Sequence, residues 1–315
     1  MPRYRINHTN HGWTYANRID ARSEGETVLG FYTSRYPHST RETWSERISL
    51  GIVRLDGAPT SPDAVLSRGQ RLTYSRPSWQ EPDVPGPFAV LHEDDAVLAV
   101  AKPSGLPVLP GGNHLENTLL AFVRSRYGDD PLPAPVHRIG RATSGIVLFA
   151  RTAEAGRSLS EDLLTGRIEK VYRALACGTD MPDRFDVETP IGRVPYPRIG
   201  TLHAAAPDGR PSHSVCRVLH RDRDNDRALL SVRILTGRPH QIRIHLAAAG
   251  HPLVGDPLYG FGGLPLPPPS VGRLPLPGDC GYHLHAHKVR FTHPDTGEAV
   301  EIVCQPPPLL RKAGD

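Results

Sequence analysis

The chain has 315 residues, of which 33 are proline and 30 glycine, set among 38% hydrophobic residues. So many backbone punctuators exclude one long helical bundle or coiled coil, and the apolar content excludes disorder throughout. No apolar run approaches the roughly 18 residues needed to cross a bilayer. Met1 to Asn10 is polar and lacks a signal peptide's apolar stretch, so a soluble cytoplasmic protein with no membrane partner is expected.

Cys177, Cys216, Cys280 and Cys304 form no C-x-x-C pair, which argues for reduced structural thiols rather than a zinc knuckle or a disulfide framework. The net charge of +4 is compatible with a nucleic-acid partner without requiring one. Of the 37 basic residues only Lys102, Lys170, Lys288 and Lys312 are lysines, leaving 33 arginines. Arginine's planar fork suits phosphates and base edges, although a compositional bias of the source genome explains the same excess.

Residues 1–25 read as an N-terminal extension and 26–75 as a small module. Within it, Arg41 to Leu50 is an amphipathic stretch. Ile52, Val53 and Leu55 run into an Asp56-Gly57 turn, and Arg71 to Tyr74 returns as a strand. Residues 76–87 carry four prolines and read as a semi-extended linker. From 88 to 315, two strand-like runs on either side of Glu93-Asp94-Asp95 open a region dense in β-branched alternation and Gly/Pro turns. The fold class expected there is α+β, with a mixed, mainly antiparallel sheet flanked by helices. Thr152 caps a helix running through Leu164 with Gly166 as its stop, and Glu169 to Cys177 reads as a strand. The Pro/Gly-rich segment 260–281 reads as an insertion, with a lid as the other option.

Three stretches hold candidate chemistry. In LLSVRILTGRPHQIRIHLAAAGH, alternation through Ile234 gives way to helical spacing at Ile242, Leu246 and Ala249. Pro239 is expected at the first helical position, placing Arg238 and His240 around a helix N-terminus that favours an anion; pairing of Arg238 with a neighbouring acid is the plainer alternative. In HRIGRATSG, a polar loop from His137 is anchored at the mouth of an apolar strand, Ile146 to Ala150, where a tight turn with surface arginines is the simpler reading. His283, His285 and His287 share one strand face, but no acid or cysteine completes a ligand set, so no metal is expected.

These stretches together resemble the RluA-type pseudouridine synthase family over about the last three quarters of the chain. VLHEDDAVLAVAKPSGLPV resembles the family's opening strands with their K-P-x-G turn, Lys102 to Gly105. HRIGRATSG resembles the signature H-R-L-D-x-x-T-S-G, and IEKVYRALACG the strand carrying the active-site tyrosine, here Tyr172. LTGRPHQIRIHLAAAGHPLVGDPLYG and LHAHKVRFTHPDTGE resemble the family's later block and closing strand. The 26–75 module resembles the RNA-binding domain, first known from a ribosomal protein, that often precedes this catalytic domain.

The resemblance implies the pseudouridine synthase fold and isomerisation of uridine in ribosomal or transfer RNA, by a monomer, without cofactor or metal. The base is detached from ribose at nitrogen, turned and rejoined through carbon five. An aspartate of the signature loop is implied as nucleophile or base, Tyr172 as the residue packing on the base, and Arg238 as the cation that keeps the aspartate ionised. Arg138 is implied to enter the RNA helix in place of an everted base, with Arg141, Thr143, Ser144, His240 and Arg243 as further RNA contacts. This chain has Gly140 at the aspartate's position, which supplies neither nucleophile nor base. Asp256 and Glu169 are the candidate replacement acids. Three functions therefore stand open: a synthase using another acid, a catalytically inactive RNA-binding homologue that keeps the base-flipping pocket, and different chemistry on a nucleoside or nucleotide.

Overall fold

The structure, a computed structural model, describes residues 9–128, 132–197, 199–270, 272–312 and 314. The chain divides into two compact units. One runs to Glu81 and takes in the segment Pro195–Leu202; the other holds Pro82–Val194 and the chain from His203 onward.

The smaller unit contains β1 (Trp13–Arg18), α1 (Val28–Arg35), α2 (Arg41–Ser49), β2 (Val53–Leu55), β3 (Ala58–Pro59) and β4 (Arg71–Arg76), with the sheet ordered β1-β4-β2-β3. Thr27 and Thr40 cap the helices by accepting from the backbone N–H groups of Gly30 and Thr43. Val28, Phe31 and Tyr32 of α1 and Trp44 and Ile48 of α2 bury against Val53, Leu72 and Tyr74, with the Tyr32 and Trp44 rings stacked at 4.4 Å. Residues 13–18, expected to belong to an extension, are the edge strand β1. Its residues are nearly all exposed, so ladder hydrogen bonds hold it and no buried face leaves a pattern in the sequence. The two-turn α1 likewise escapes the sequence reading.

The larger unit begins with β5 (Ala89–Glu93), β6 (Val97–Lys102), α3 (Leu119–Tyr127), β7 (Ala134–Pro135), β8 (Ser144–Ala150), α4 (Ala153–Leu164) and β9 (Glu169–Cys177). It continues through β10 (Arg184–Val187), β13 (Ser214–Asp222), β14 (Arg227–Ile234), α5 (Gln241–Ala248), β15 (Leu284–Thr292) and β16 (Ala299–Val303); β11 (Ile191–Tyr196) and β12 (Gly200–Ala205) begin and end in it, with Pro195–Leu202 counted in the smaller unit. The main sheet is ordered β10-β13-β14-β9-β15-β8-β6-β5, with β16 beside β15 and β7 beside β8, while β11 and β12 pair as a ribbon. It is the mixed, mainly antiparallel α+β sheet expected, β15 running parallel to β8 and antiparallel to β9 and β16. Val84, within the expected linker, and Phe88, the first residue after it, are buried in the core with Leu106 and Val108.

Why β6 and β8 read as continuous apolar runs follows from their two coverings. Ala99, Ile146 and Leu148 pack with Ala155 and Leu159 of α4, whereas Leu98, Val100, Val147 and Phe149 pack with Leu119 and Val123 of α3. Both faces are dry, so alternation disappears. Each large apolar side chain so buried contributes about 1.5–3 kcal/mol.

A further cluster joins Ala142, Tyr172, Val232, Ile242, Leu246, Tyr282 and Leu284. Because β8 and β15 start at the same end and run parallel, the loops that precede them, ending at Thr143 and His283, emerge side by side. Gly145 permits the close approach: with φ +105, its Cβ would run into the backbone of Ala286.

Candidate active site

Arg243 and Asp256 form the polar centre of the site. Arg243 Nε and Nη2 donate to the two carboxylate oxygens of Asp256 at 2.7 Å each, and the two side chains are 2% and 1% exposed. Asp256 also accepts from the backbone N–H groups of Leu258 and Tyr259, which fixes the turn after α5. The guanidinium lies 4.1 Å from the Tyr282 ring centre and 4.9 Å from that of Tyr259, with Nη1 donating to the carbonyl of Pro277. Burial works against the Arg243 charge, yet the hydrogen bonds of Asp256 and the nearby charges hold its pKa above the ordinary arginine value.

Tyr282 links this centre to the signature loop. Its hydroxyl lies 3.3 Å from Thr143 Oγ1, and a Cβ built on Gly140 would stand 2.7 Å from the same hydroxyl. Gly140 itself is exposed, whereas Tyr282 is buried and so is its contact with Thr143. Burial pushes the phenol pKa up, against the pull of the Arg243 cation. Tyr172 is buried in mid-strand in the same cluster, and burial pushes its phenol to about 12.

The loop around Gly140 is held from below. Lys102 Nζ donates to the carbonyls of Pro103, Leu106 and Arg141 at 2.7–3.0 Å, and Gly105 N donates to the Arg141 carbonyl. Burial drives the Lys102 pKa down to about 7. Ser144 Oγ lies 2.8 Å from His285 Nδ1, whose Nε2 faces the Cys304 carbonyl at 3.1 Å. His285 and His287 are thus spent on structure, and among the described residues no group of three His, Cys, Asp or Glu is placed to hold a metal.

Several expected residues change place. The helix α5 begins at Gln241, not Pro239: His240 is its N-cap at φ 57, and the Gln241 side-chain oxygen accepts from Arg238 N and Thr236 Oγ1. The expected anion position is therefore occupied by the chain's own amide. Arg238 Nε donates to the carbonyl of Pro211, near the surface, and the guanidinium beside the signature loop is that of Arg243. Only after the turn at His240 does the helix point a side chain inward, which is why Arg243, three residues on, reaches the centre.

His240 Nδ1 lies 2.7 Å from the Tyr259 hydroxyl, which donates to the His203 carbonyl. Burial, helped by the charges of Arg243, His203 and Arg138, drives the His240 pKa down to about 3, so its imidazole is neutral. Arg138 is exposed. Arg141 Nε donates to the Gly278 carbonyl at 2.7 Å and its Nη1 lies 3.3 Å from His114 Nε2. The far end of the Pro/Gly-rich segment is thereby pinned to the signature loop and to Arg243. Of the two candidate acids, Asp256 is committed to Arg243 and Glu169 lies in β9 opposite Arg290. Tyr282 was missed; its signal was an aromatic two residues before Leu284, hence on the same face as that core residue.

A family model described as RNA pseudouridylate synthase matches residues 96–248. An uncharacterized RNA pseudouridine synthase of Synechocystis is 42% identical over 283 residues, covering 90% of this chain and 95% of the relative. Ribosomal large subunit pseudouridine synthase D of Xanthomonas campestris is 34% identical, covering 88% and 84%. Among solved structures, human RNA pseudouridylate synthase domain containing 1 superposes with a TM-score of 0.55 at 26% identity, covering 72% of this chain and 87% of that one. At these identities and coverages the chain belongs to the RNA pseudouridine synthase family.

Proposed function

We propose that the site built from Gly140, Tyr172, Tyr282 and Arg243 isomerises uridine to pseudouridine in ribosomal or transfer RNA. The observation that carries this reading is the buried Arg243, stacked on Tyr282 and set beside the signature loop. A guanidinium fixed by Asp256 has no conformational cost left to meet when charge develops on a nearby ring. The ribosomal substrate is favoured by the name of the Xanthomonas relative, a ribosomal large subunit pseudouridine synthase. Arg138, exposed on the signature loop, is assigned to the RNA helix at the position of the everted base, since the target carbon is unreachable inside a stack. Residues 26–75 are assigned to holding the RNA, with 88–315 as the catalytic part.

The inactive-binder reading rested on Gly140 alone. In the structure that glycine has a packed neighbour, the Tyr282 hydroxyl, rather than an empty socket, and relatives at 34–42% identity carry synthase names. The purified chain, incubated with unmodified transcripts of large-subunit ribosomal RNA and transfer RNA, is expected to convert uridine to pseudouridine, read by nucleoside mass spectrometry. Absence of product from both pools contradicts the proposal. Affinity for either RNA is expected to fall steeply between 50 and 200 mM salt, by about a factor of ten for every two phosphates neutralised.

A further inference from the structure

The smaller unit exposes aromatic surface of its own. Strand β1 is the edge of its sheet, and Trp13 and Tyr15 on it are 54% and 42% exposed. Residues two apart on a strand share a face, and across the ladder Trp13 stands opposite Arg76 of β4 and Tyr15 opposite Tyr74. The Tyr15 ring stacks on that of Tyr74, their centres 6.0 Å apart and their planes 14° from parallel. The Arg76 guanidinium lies 3.5 Å from the centre of the Trp79 ring, and that of Arg47, on α2, lies 5.2 Å from the Tyr74 ring and 4.5 Å from the Trp44 ring. Rings and guanidiniums therefore alternate across this face, with Trp13 and Tyr15 as its open members. We propose that the array is a stacking platform for unpaired RNA bases, Trp13 and Tyr15 each taking a base and Arg47 and Arg76 meeting the phosphates between them.

Charge selects this occupant. Among the described residues Arg47 meets no acid: it donates to Ser39 Oγ and otherwise touches only the two rings. Burial, helped by the charges of Arg47 and Arg76, lowers the His38 pKa, which sets both guanidiniums around one imidazole. A second copy of the chain pairing through β1 would bring the same arginines against each other. A single-stranded nucleic acid instead supplies a negative phosphate and a flat base face at every step, which is what an alternation of cations and exposed rings accepts, whatever the base. Duplex RNA keeps its base faces stacked inside and offers the exposed rings nothing to cover them. Trp13 and Tyr15 lie outside residues 26–75, so the platform adds a contact, and a preference for unpaired strand, to the RNA-holding role assigned above.

The platform rests on the reading of the smaller unit as RNA-holding, and its test needs no catalysis. Of the three tryptophans, Trp44 is 2% exposed and Trp79 is covered by Arg76, so Trp13 is the one placed to report stacking. Titrating the full chain with single-stranded oligouridine of about 12 nucleotides is expected to quench tryptophan fluorescence to saturation, and a duplex of the same length far less. Trp13→Phe keeps a ring face and is expected to lose the quench while binding a labelled oligouridine within about threefold of the parent. Trp13→Ser combined with Tyr15→Ser is expected to weaken single-strand binding about tenfold or more at an unchanged salt slope, since no charge is removed, whereas Arg47→Gln lowers that slope. A doubly substituted chain within about twofold of the parent, an equal loss on duplex, or a self-association that the two serines abolish without touching RNA affinity overturns the platform. Pseudouridine formation by a chain that shows no Trp13 quench overturns the platform and leaves the synthase reading standing; quenching by a chain that forms no pseudouridine does the reverse.

Discussion

Arg243 and Asp256 are each almost wholly buried, so neither charge is tolerable without the other. Replacing Arg243 by Met strands a carboxylate in the core and is expected to cost about 3–5 kcal/mol in urea unfolding, whereas Arg238→Met, close to solvent, is expected to cost less than about 0.5 kcal/mol. Gly140→Asp brings a Cβ within 2.7 Å of the Tyr282 hydroxyl, so the ring must shift; a loss of about 1–3 kcal/mol is expected from the same measurement. At this scale the sequence reading chose Arg238, and the structure sets Arg243 rather than Arg238 against Tyr282. Both arginines stand in TGRPHQIR, and only the left-handed turn at His240 and the closure of the helix start by Gln241 decide which one faces inward. Neither event leaves a periodic trace.

Among the elements, legibility followed burial. Thr152 to Leu164 and Glu169 to Cys177 were readable because α4 packs one face on the sheet and β9 pairs along its length, whereas exposed β1 was not. Thr152→Ala removes the hydroxyl that accepts from Ala155 N and is expected to cost about 1 kcal/mol of unfolding free energy. Gly145→Ala is expected to cost about 3 kcal/mol or more, since it forces a side chain into Ala286 backbone at the parallel junction of β8 and β15. If the two variants prove equally mild in urea titrations, the close approach of those strands is wrong. The Pro/Gly-rich segment, read as an inert insertion, ends on Arg141 and Arg243; composition marks it as a loop but says nothing of where its carbonyls point.

At the scale of the molecule, burial among the described residues holds His137, His245 and His285 near a pKa of 4 and His240 near 3, and also lowers His38 and His203. In the unfolded chain each returns to its ordinary value of 6.5. The unfolded state therefore binds more protons below that pH, so stability is full above about 6.5 and declines as pH falls toward 4. Urea midpoints are expected to be level from pH 7 upward and to drop below 6.5 with an uptake of several protons; a flat profile down to pH 5 would contradict the burial of these rings. Family membership was legible from five ordered motifs because motif spacing survives in the sequence, while the cross-strand meeting of Tyr282 with Gly140, 142 residues apart, exists only in the fold.

The account turns on Arg243 as the cation of the catalytic cleft, and a side-by-side rate measurement of Arg243→Lys and Arg238→Lys on large-subunit ribosomal RNA transcripts tests it most directly. Lysine keeps the charge facing Asp256 but loses the planar fork and its stacking on Tyr282, so Arg243→Lys is expected to lower kcat by about 100-fold, with Arg238→Lys within about threefold of the parent. The reverse order, with Arg238→Lys crippled and Arg243→Lys near the parent rate, would contradict it.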